Sequence, residues 1–163
     1  MQQTSILIPL QIFPERSTLG PEDAELLEAA IRATTDAYAP YSDFRVGVAL
    51  RLSNGGTVTG SNQENASFPA GICAERVALS AASAMFPGFA VTAMALTYIN
   101  ESGAGQQPIS PCGICRQTLV EYEQRFKQNI RLILGGATGE IFVLNKATDL
   151  LPLAFSSREL NSH

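Results

Sequence analysis

The residues whose types and spacing suit chemistry fall in two short segments of this 163-residue chain. Cys73 is followed two positions later by Glu75, and Cys112 and Cys115 lie three positions apart behind Pro111. Proline favours the first turn of a helix, and side chains three residues apart share one helical face. Both sulfurs of the second segment can therefore reach one metal ion. Cys73 also opens a helix-forming run and supplies the remaining sulfur.

The number of sulfur ligands favours a metal site with an open coordination position. A structural zinc site is closed by four protein ligands, whereas a catalytic zinc site keeps one position for water or substrate. The chain has three cysteines, and its one histidine, His163, is the last residue of the sequence and is not expected to be held rigidly. A carboxylate could close the site, but Glu75 is better used as a proton carrier. We expect one zinc ion per subunit, bound by Cys73, Cys112 and Cys115.

Two other interpretations of the cysteines need to be weighed. A Cys-x-x-Cys pair by itself is often a redox dithiol, or two small residues near a helix start. A non-catalytic, zinc-stabilised module is the alternative from another class of protein. The order of Cys73, Glu75 and Pro111 with the pair favours a metal over both the redox and the incidental reading. The intact Glu75 and the missing fourth ligand favour a catalytic site over a structural one.

The charge of three thiolates exceeds that of a divalent zinc ion, so positive groups must offset it. Both cysteine segments lie at helix starts, where the helix dipole is positive. Arg76 follows Cys73 by three residues, and we expect it to hydrogen-bond a ligand sulfur and so support the site. Arg116 stays open between this role and an exposed surface charge.

The elements that must position these residues are predicted from hydrophobic patterning and from turn residues. A helix begins at Pro21 and ends at Pro40, and two more helices cover about 72–85 and 111–126. The predicted strands are 44–52, 57–61, 91–99, 130–134 and 140–144, with a hairpin turn at Asn54-Gly55-Gly56 and a little helix in the closing segment 149–160. This order indicates an α/β fold, a three-layer α/β/α sandwich about a five-stranded mixed sheet.

The length suits one domain, 1–163, in which residues 1–20 form an N-terminal extension. Within this extension the apolar first thirteen residues are either an added edge strand or an arm on a neighbouring subunit. We therefore expect one core.

Composition and charge narrow the class of partner. A net charge of −4 and a pI near 5.0 give no electrostatic reason to bind a nucleic-acid backbone, which favours a small free substrate. The first residues lack the positive region of a signal peptide, and no apolar run approaches the length of a membrane span. We expect a cytoplasmic protein that acts without a membrane and whose thiols are kept reduced.

The order Cys-x-Glu and then Cys-x-x-Cys resembles the signature of zinc deaminases, in which the glutamate is not a zinc ligand. Over about 26–160 the sequence resembles the small homotetrameric cytidine deaminases. Besides the two cysteine segments, the resemblance rests on three stretches: 37–47 (AYAPYSDFRVG), 62–68 (NQENASF) and 150–155 (LLPLAF). Five ordered segments make a specific match.

The resemblance implies a zinc-dependent hydrolase of pyrimidine salvage. It would convert cytidine and 2′-deoxycytidine to uridine and 2′-deoxyuridine with release of ammonia. Glu75 would carry protons from the attacking water to the ring and to the leaving amine. An aminohydrolase of the blasticidin type, which shares both cysteine segments, is the alternative within the enzyme class.

The substrate-binding residues follow from the resemblance alone. It implies that Asn62 and Glu64 hydrogen-bond the ribose 3′ hydroxyl and that Phe44 lies against the pyrimidine. The backbone at Ala74 would contact the base, and Phe155 would reach the ring from a neighbouring subunit. The nucleoside site would then be shared between the subunits of a homotetramer.

Overall fold

The computed structural model describes residues 1–100, 103–104, 107–136 and 138–160. In chain order the strands are β1 (Gln11–Phe13), β2 (Arg45–Leu52), β3 (Thr57–Ser61), β4 (Val91–Asn100), β5 (Gly103–Ala104), β6 (Arg131–Gly135) and β7 (Ile141–Leu144). The helices are α1 (Pro21–Ala33), α2 (Ala74–Met85), α3 (Gly113–Phe126) and the one-turn α4 (Ser157–Leu160). In the described part of the chain, no helix is both long and apolar enough to cross a membrane.

The sheet is mixed, but it has six strands in its main order rather than the predicted five. That order is β1-β7-β6-β4-β2-β3, and the two-residue β5 pairs with the end of β4. Only the β4–β6 pair is parallel among these pairings. The additional strand is β1, whose residues pair antiparallel with β7 as an edge strand. Three residues are too few to show the periodicity of a strand. The strand is therefore recognised only from its pairing with β7 in the structure.

The sheet separates two apolar cores, because successive side chains of a strand point to opposite faces. On one face Leu50, Met94 and Leu132 pack with α2 and α3. On the other face α1 covers the alternate strand positions, which are mostly small: Ala49, Ala93, Ala95 and Ile133. These two cores produce the three layers expected from the order of the elements.

Two glycines allow the helices to lie unusually close to the sheet. A Cβ atom on Gly60 of β3 would lie 2.6 Å from the backbone nitrogen of Ala78 and 2.8 Å from the carbonyl oxygen of Ala74, both in α2. A Cβ on Gly47 of β2 would lie 2.1 Å from the carbonyl oxygen of Ala30 in α1. Gly60 therefore brings the start of α2, where Cys73 and Glu75 lie, down onto β3.

The ends of the helices differ from those predicted. Helix α1 ends at Ala33 and not at Pro40. The hydroxyls of Thr34 and Thr35 donate to the carbonyls of Ile31 and Arg32 at 2.7 and 2.8 Å. Such local bonds compete with continued helix, and a 3-10 turn, Thr34–Asp36, follows.

The predicted hairpin turn is confirmed, since Gly55, at a φ of 83°, links β2 and β3. The predicted helix in the closing segment is confirmed as α4, after a 3-10 turn at Ala147–Leu150.

Candidate functional site

The three cysteines come together where two helices begin. Cys73 and Cys112 are the residues that cap α2 and α3, and Cys115 lies in the first turn of α3. The Sγ atom of Cys112 lies 3.8 Å from that of Cys73 and 3.5 Å from that of Cys115. All three sulfurs lie within 4.8 Å of one another. A tetrahedral zinc ion with Zn–S bonds of about 2.3 Å separates its sulfurs by about 3.8 Å, so the cluster fits zinc.

Hydrogen bonding among the sulfurs shifts the pKa values of Cys73 and Cys115 in opposite directions. Hydrogen bonding from Cys115, then from Cys112, and the charge of Arg76 lower the pKa of Cys73 to about 6. The pKa of Cys115 is raised, because this thiol bonds to Cys73 and is buried. A divalent ion at the cluster would replace the remaining thiol protons and so bind in a pH-dependent way.

The two arginines beside the cysteines have different environments. Arg76 lies where its charge stabilises the Cys73 thiolate. Among the described residues, no hydrogen bond joins its guanidinium to a sulfur. Arg116, left open by the sequence, is not an exposed surface charge. Its Nε donates to the carbonyl of Pro111 at 2.7 Å, and its Nη1 donates to the carbonyl of Leu150 at 3.1 Å.

Glu75 lies in the first turn of α2 and is 4% exposed. Burial is the main cause that raises the pKa of its carboxyl, and the nearby Cys73 thiolate adds to the effect, against a hydrogen bond from the backbone. A carboxyl group whose pKa is raised holds a proton more readily than a free carboxyl group and can release it again. Glu75 is therefore chemically suited to move protons next to the sulfur cluster.

A cavity of about 280 Å³ opens over these groups. Besides the predicted metal ligands, five of the residues predicted from the sequence line it and are brought together by the fold: Phe44, Asn62, Glu64, Ala74 and Glu75. Cys73 and Cys112 line the same cavity. The Phe44 ring stacks on Tyr98 with 4.8 Å between the ring centroids and 21° between the planes. Phe44, which directly precedes β2, is therefore packed at the cavity wall against a ring of β4.

Asn62 and Glu64 already brace the chain that surrounds the cavity. Asn62 accepts from the backbone nitrogen of Val46 at 2.8 Å and donates to the carbonyl of Phe44 at 2.9 Å. Glu64 accepts from the backbone nitrogen of Tyr41 at 2.9 Å and from the Ser42 hydroxyl. The hydroxyl and then the backbone bond lower the pKa of Glu64. An amide has two N–H donors and a carboxylate several lone pairs, so each side chain retains capacity for a ligand.

The structure does not bring Phe155 to the cavity of its own chain. Its side chain is 59% exposed. It lines a separate groove with Ile114 and Gln117 of α3 and Leu160 of α4. Gln117 donates to the Phe155 carbonyl at 2.9 Å, which fixes the backbone and leaves the ring outward. His163 lies outside the described residues.

Sequence reasoning missed several residues of the site. Ser42, Ile109 and Ser110 also line the cavity. A single serine in a loop carries no periodic signal that distinguishes it from a solvated one. The loops meet because Gln63 forms isolated bridges to both Tyr38 and Ile72. These long-range pairings bring Ser42 next to Glu64, and no local sequence pattern predicts them.

Comparisons with known proteins agree with this geometry. The model of the cytidine and deoxycytidylate deaminase zinc-binding region matches residues 21–128. A cytidine deaminase of Halalkalibacterium halodurans is 35% identical over 136 residues, which covers 83% of this chain and 96% of the relative.

Solved structures are similar as well. The cytidine deaminase from Burkholderia pseudomallei is 40% identical with a TM-score of 0.69, over 80% of this chain and 97% of that chain. The cytidine deaminase from Mycobacterium tuberculosis is 30% identical with a TM-score of 0.63, over 81% and 95% of the two chains. The region matched by the family model includes the three cysteines and Glu75. The chain therefore belongs to the cytidine and deoxycytidylate deaminase family, with its zinc-binding region.

Proposed function

We propose that this protein is a zinc-dependent cytidine deaminase of pyrimidine salvage. It converts cytidine and 2′-deoxycytidine to uridine and 2′-deoxyuridine and releases ammonia. The observation that carries the proposal is the buried Glu75 carboxyl beside the three-sulfur cluster in one cavity. Free thiols of this kind suit a reducing compartment, so we place the enzyme in the cytoplasm.

The chain's own groups supply the proton movements. Cys73, Cys112 and Cys115 would hold a zinc ion, which would supply the Lewis acidity that makes water a nucleophile at neutral pH. The Glu75 carboxylate takes a proton from the attacking water and delivers it to N3 of the cytosine ring. The oxygen of the water bonds to C4, and the second proton passes from this new hydroxyl group by way of Glu75 to the 4-amino nitrogen. The C4–N bond then breaks, ammonia leaves, and the C4 oxygen becomes the carbonyl of uridine. The raised pKa of this carboxyl allows it to hold the proton between these transfers.

Four residues of the cavity orient the nucleoside. Phe44 presents its ring to the pyrimidine, and the backbone at Ala74, at the start of α2, contacts the base. Asn62 and Glu64 hydrogen-bond the ribose 3′ hydroxyl. They use the N–H donor and the carboxylate lone pairs that their hydrogen bonds to the chain do not occupy. Support comes from their common placement on the cavity wall. Arg76 supports the site through its charge, which favours the thiolate form of Cys73.

The substrate is a nucleoside rather than a nucleotide. The residues that line the cavity in the described part of the chain include no lysine or arginine, whereas Glu64 places a carboxylate there. The phosphate group of a nucleotide would be repelled by this carboxylate and would find no cationic side chain in the described part of the cavity lining to bind it. The net charge of −4 also disfavours anionic substrates. The family description covers cytidine and deoxycytidylate, and these features favour the uncharged member of that pair.

Assembly into a homotetramer completes each site in this proposal, with Phe155 supplied by a neighbouring subunit. Large apolar side chains remain uncovered in the isolated chain. Leu153 is 94% exposed, Phe68 75% and Ile114 64%. A groove of about 480 Å³, lined by Tyr41, Phe68 and Ile72 among others, adjoins Cys73. Exposed apolar surface of this kind is typical of contacts between proteins.

The direct test is an assay of the purified protein with cytidine, which measures uridine and ammonia. We expect turnover with cytidine and 2′-deoxycytidine, little with cytidine monophosphate, and loss of activity when a chelator removes zinc. Blasticidin S serves as the competing substrate. Faster turnover of blasticidin S, or activity in protein shown by elemental analysis to be metal-free, would contradict the proposal.

A further inference from the structure

The Arg116 guanidinium joins two parts of the chain that are distant in sequence. Its Nε donates to the carbonyl of Pro111, immediately before Cys112, at 2.7 Å. Its Nη1 donates to the carbonyl of Leu150 at 3.1 Å. Leu150 ends the 3-10 turn Ala147–Leu150. One side chain thus connects the loop that carries Cys112 with this turn, and Arg116 itself follows Cys115 directly.

A second side chain of α3 fixes the same turn independently. Glu123 lies two helical turns beyond Arg116 and is 6% exposed. Its Oε1 accepts from the backbone nitrogens of Ile130 at 2.7 Å and Ala147 at 2.8 Å, and its Oε2 accepts from that of Thr148 at 3.1 Å. The turn is therefore anchored to α3, and the Leu150 carbonyl is held as a firm point to which Arg116 can attach.

We propose that Arg116 is a positioning residue for the metal site. It holds the Pro111–Cys112 peptide against the turn 147–150, and thereby places the Cys112 sulfur relative to those of Cys73 and Cys115. The affinity for zinc is in this way coupled to the packing of the turn 147–150 against α3. The inference rests on the three-cysteine ligand set proposed above.

The need for such a brace follows from the position of Cys112. It caps α3, and its side chain is exposed. Pro111 is buried and lies before the helix, so its carbonyl lies outside the helical ladder. Without Arg116 the peptide between these residues could rotate, and the 3.5 and 3.8 Å separations of the sulfurs would be lost. An ammonium group cannot replace the guanidinium here, since only the fork presents donors in two fixed directions.

The test measures zinc affinity by competition with a chromophoric chelator. We expect Arg116→Lys to weaken zinc binding about 10–100-fold, the usual cost of removing a partner that orients a metal ligand. Arg125→Lys is the matched control, because Arg125 is an exposed arginine of the same helix, and it should leave the affinity unchanged. Melting of the zinc-free proteins separates positioning from general destabilisation. Unchanged zinc affinity with a lower zinc-free melting temperature would overturn the inference.

A double-mutant cycle tests the coupling to the turn. Glu123→Gln should weaken zinc binding in the natural background, and by much less when Arg116 is already lysine. If Glu123→Gln does not fold, Asp149→Asn loosens the same turn by removing its ion pair with Lys146. Equal effects in both backgrounds would overturn the coupling. Failure of the unaltered protein to bind zinc would instead contradict the ligand set itself, and with it this inference.

Discussion

At the scale of single residues, the site assigns two carboxylates to different tasks through their surroundings. Glu75 is buried beside sulfurs, which raises its pKa, whereas Glu64 accepts hydrogen bonds from Ser42 and Tyr41, which lower its pKa. A group whose pKa is raised can carry a proton, and one whose pKa is lowered stays an acceptor. These opposite shifts support the proposal that Glu75 transfers protons and that Glu64 recognises a sugar hydroxyl.

The first prediction concerns Glu75. Glu75→Gln retains the size of the side chain but cannot accept a proton from water. We expect a folded, zinc-loaded protein whose turnover falls about 10²–10⁴-fold, the usual contribution of a general acid–base group. Steady-state kinetics and elemental analysis measure the two quantities. Glu25→Gln, at an exposed position of α1, is the control. A normal turnover in Glu75→Gln would remove the residue from the mechanism.

The second prediction separates sugar binding by Glu64 from bracing of the loop. Glu64→Gln should raise KM for cytidine about 10–100-fold, because a hydrogen bond to a charged group contributes about 1.5–3 kcal/mol. With 3′-deoxycytidine, which lacks the hydroxyl, the same variant should change KM little. Ser42→Ala removes the brace from Ser42 and keeps the carboxylate. If both variants raise KM equally for both substrates, Glu64 only supports the loop.

At the scale of elements, the site depends on two helix starts that meet over one face of the sheet. Helices α2 and α3 pack with the same apolar core as the inner strands, while Cys73 and Cys112 cap them. The positive end of each helix dipole favours negative charge at these two positions. The close contact of α2 with β3 at Gly60 sets how near the first helix start can come.

The third prediction tests this contact. In Gly60→Ala the new methyl would meet the backbone of α2 at 2.6 and 2.8 Å, and backbone cannot move aside as a flexible side chain can. We expect a loss of about 1–3 kcal/mol in the free energy of unfolding, as for other overpacked sites. Urea unfolding measures it. Gly20→Ala is the control, since a Cβ there meets no atom within 4 Å. An unchanged unfolding midpoint in Gly60→Ala would show that α2 shifts freely.

At the scale of the whole molecule, the closing segment links the metal site to the outer surface. Arg116 and Gln117 of α3 donate to the carbonyls of Leu150 and Phe155. The rings and side chains beyond these carbonyls, such as Leu153 and Phe155, point outward. In the proposed tetramer this segment presents Phe155 to the neighbouring site.

The fourth prediction is a mixing experiment. Phe155→Ala should raise KM through the loss of ring contact with the base, about 1 kcal/mol beyond its buried area. Oligomers assembled from Glu75→Gln and Phe155→Ala subunits should contain some sites with both residues intact. Their activity should therefore exceed that of either parent. Subunits that carry both changes, mixed with Glu75→Gln subunits, are the control and should not recover. A fully active monomer in sedimentation at assay concentration would refute the shared site.

Much of this protein is determined by patterns that are local in sequence. The spacing of Cys112 and Cys115 behind Pro111 predicts two sulfurs at a helix start, and α3 places them there. Five strands are predicted from runs of apolar residues, because the pattern within each run is enough to predict that strand. Local signals of this kind also predicted the helix starts within two residues.

Only the tertiary structure decided the features that depend on distant partners. Cys73 meets Cys112 across 39 positions of sequence. Strand β1 exists through its pairing with β7, and α1 stops early because Thr34 and Thr35 bond back to it. The sequence left the environment of Arg116 open. The structure places the carbonyl of Leu150, 34 residues away, within hydrogen-bonding distance of its guanidinium. A hydrogen bond between distant residues leaves no periodicity in the sequence, so these relations become visible only when the chain is folded.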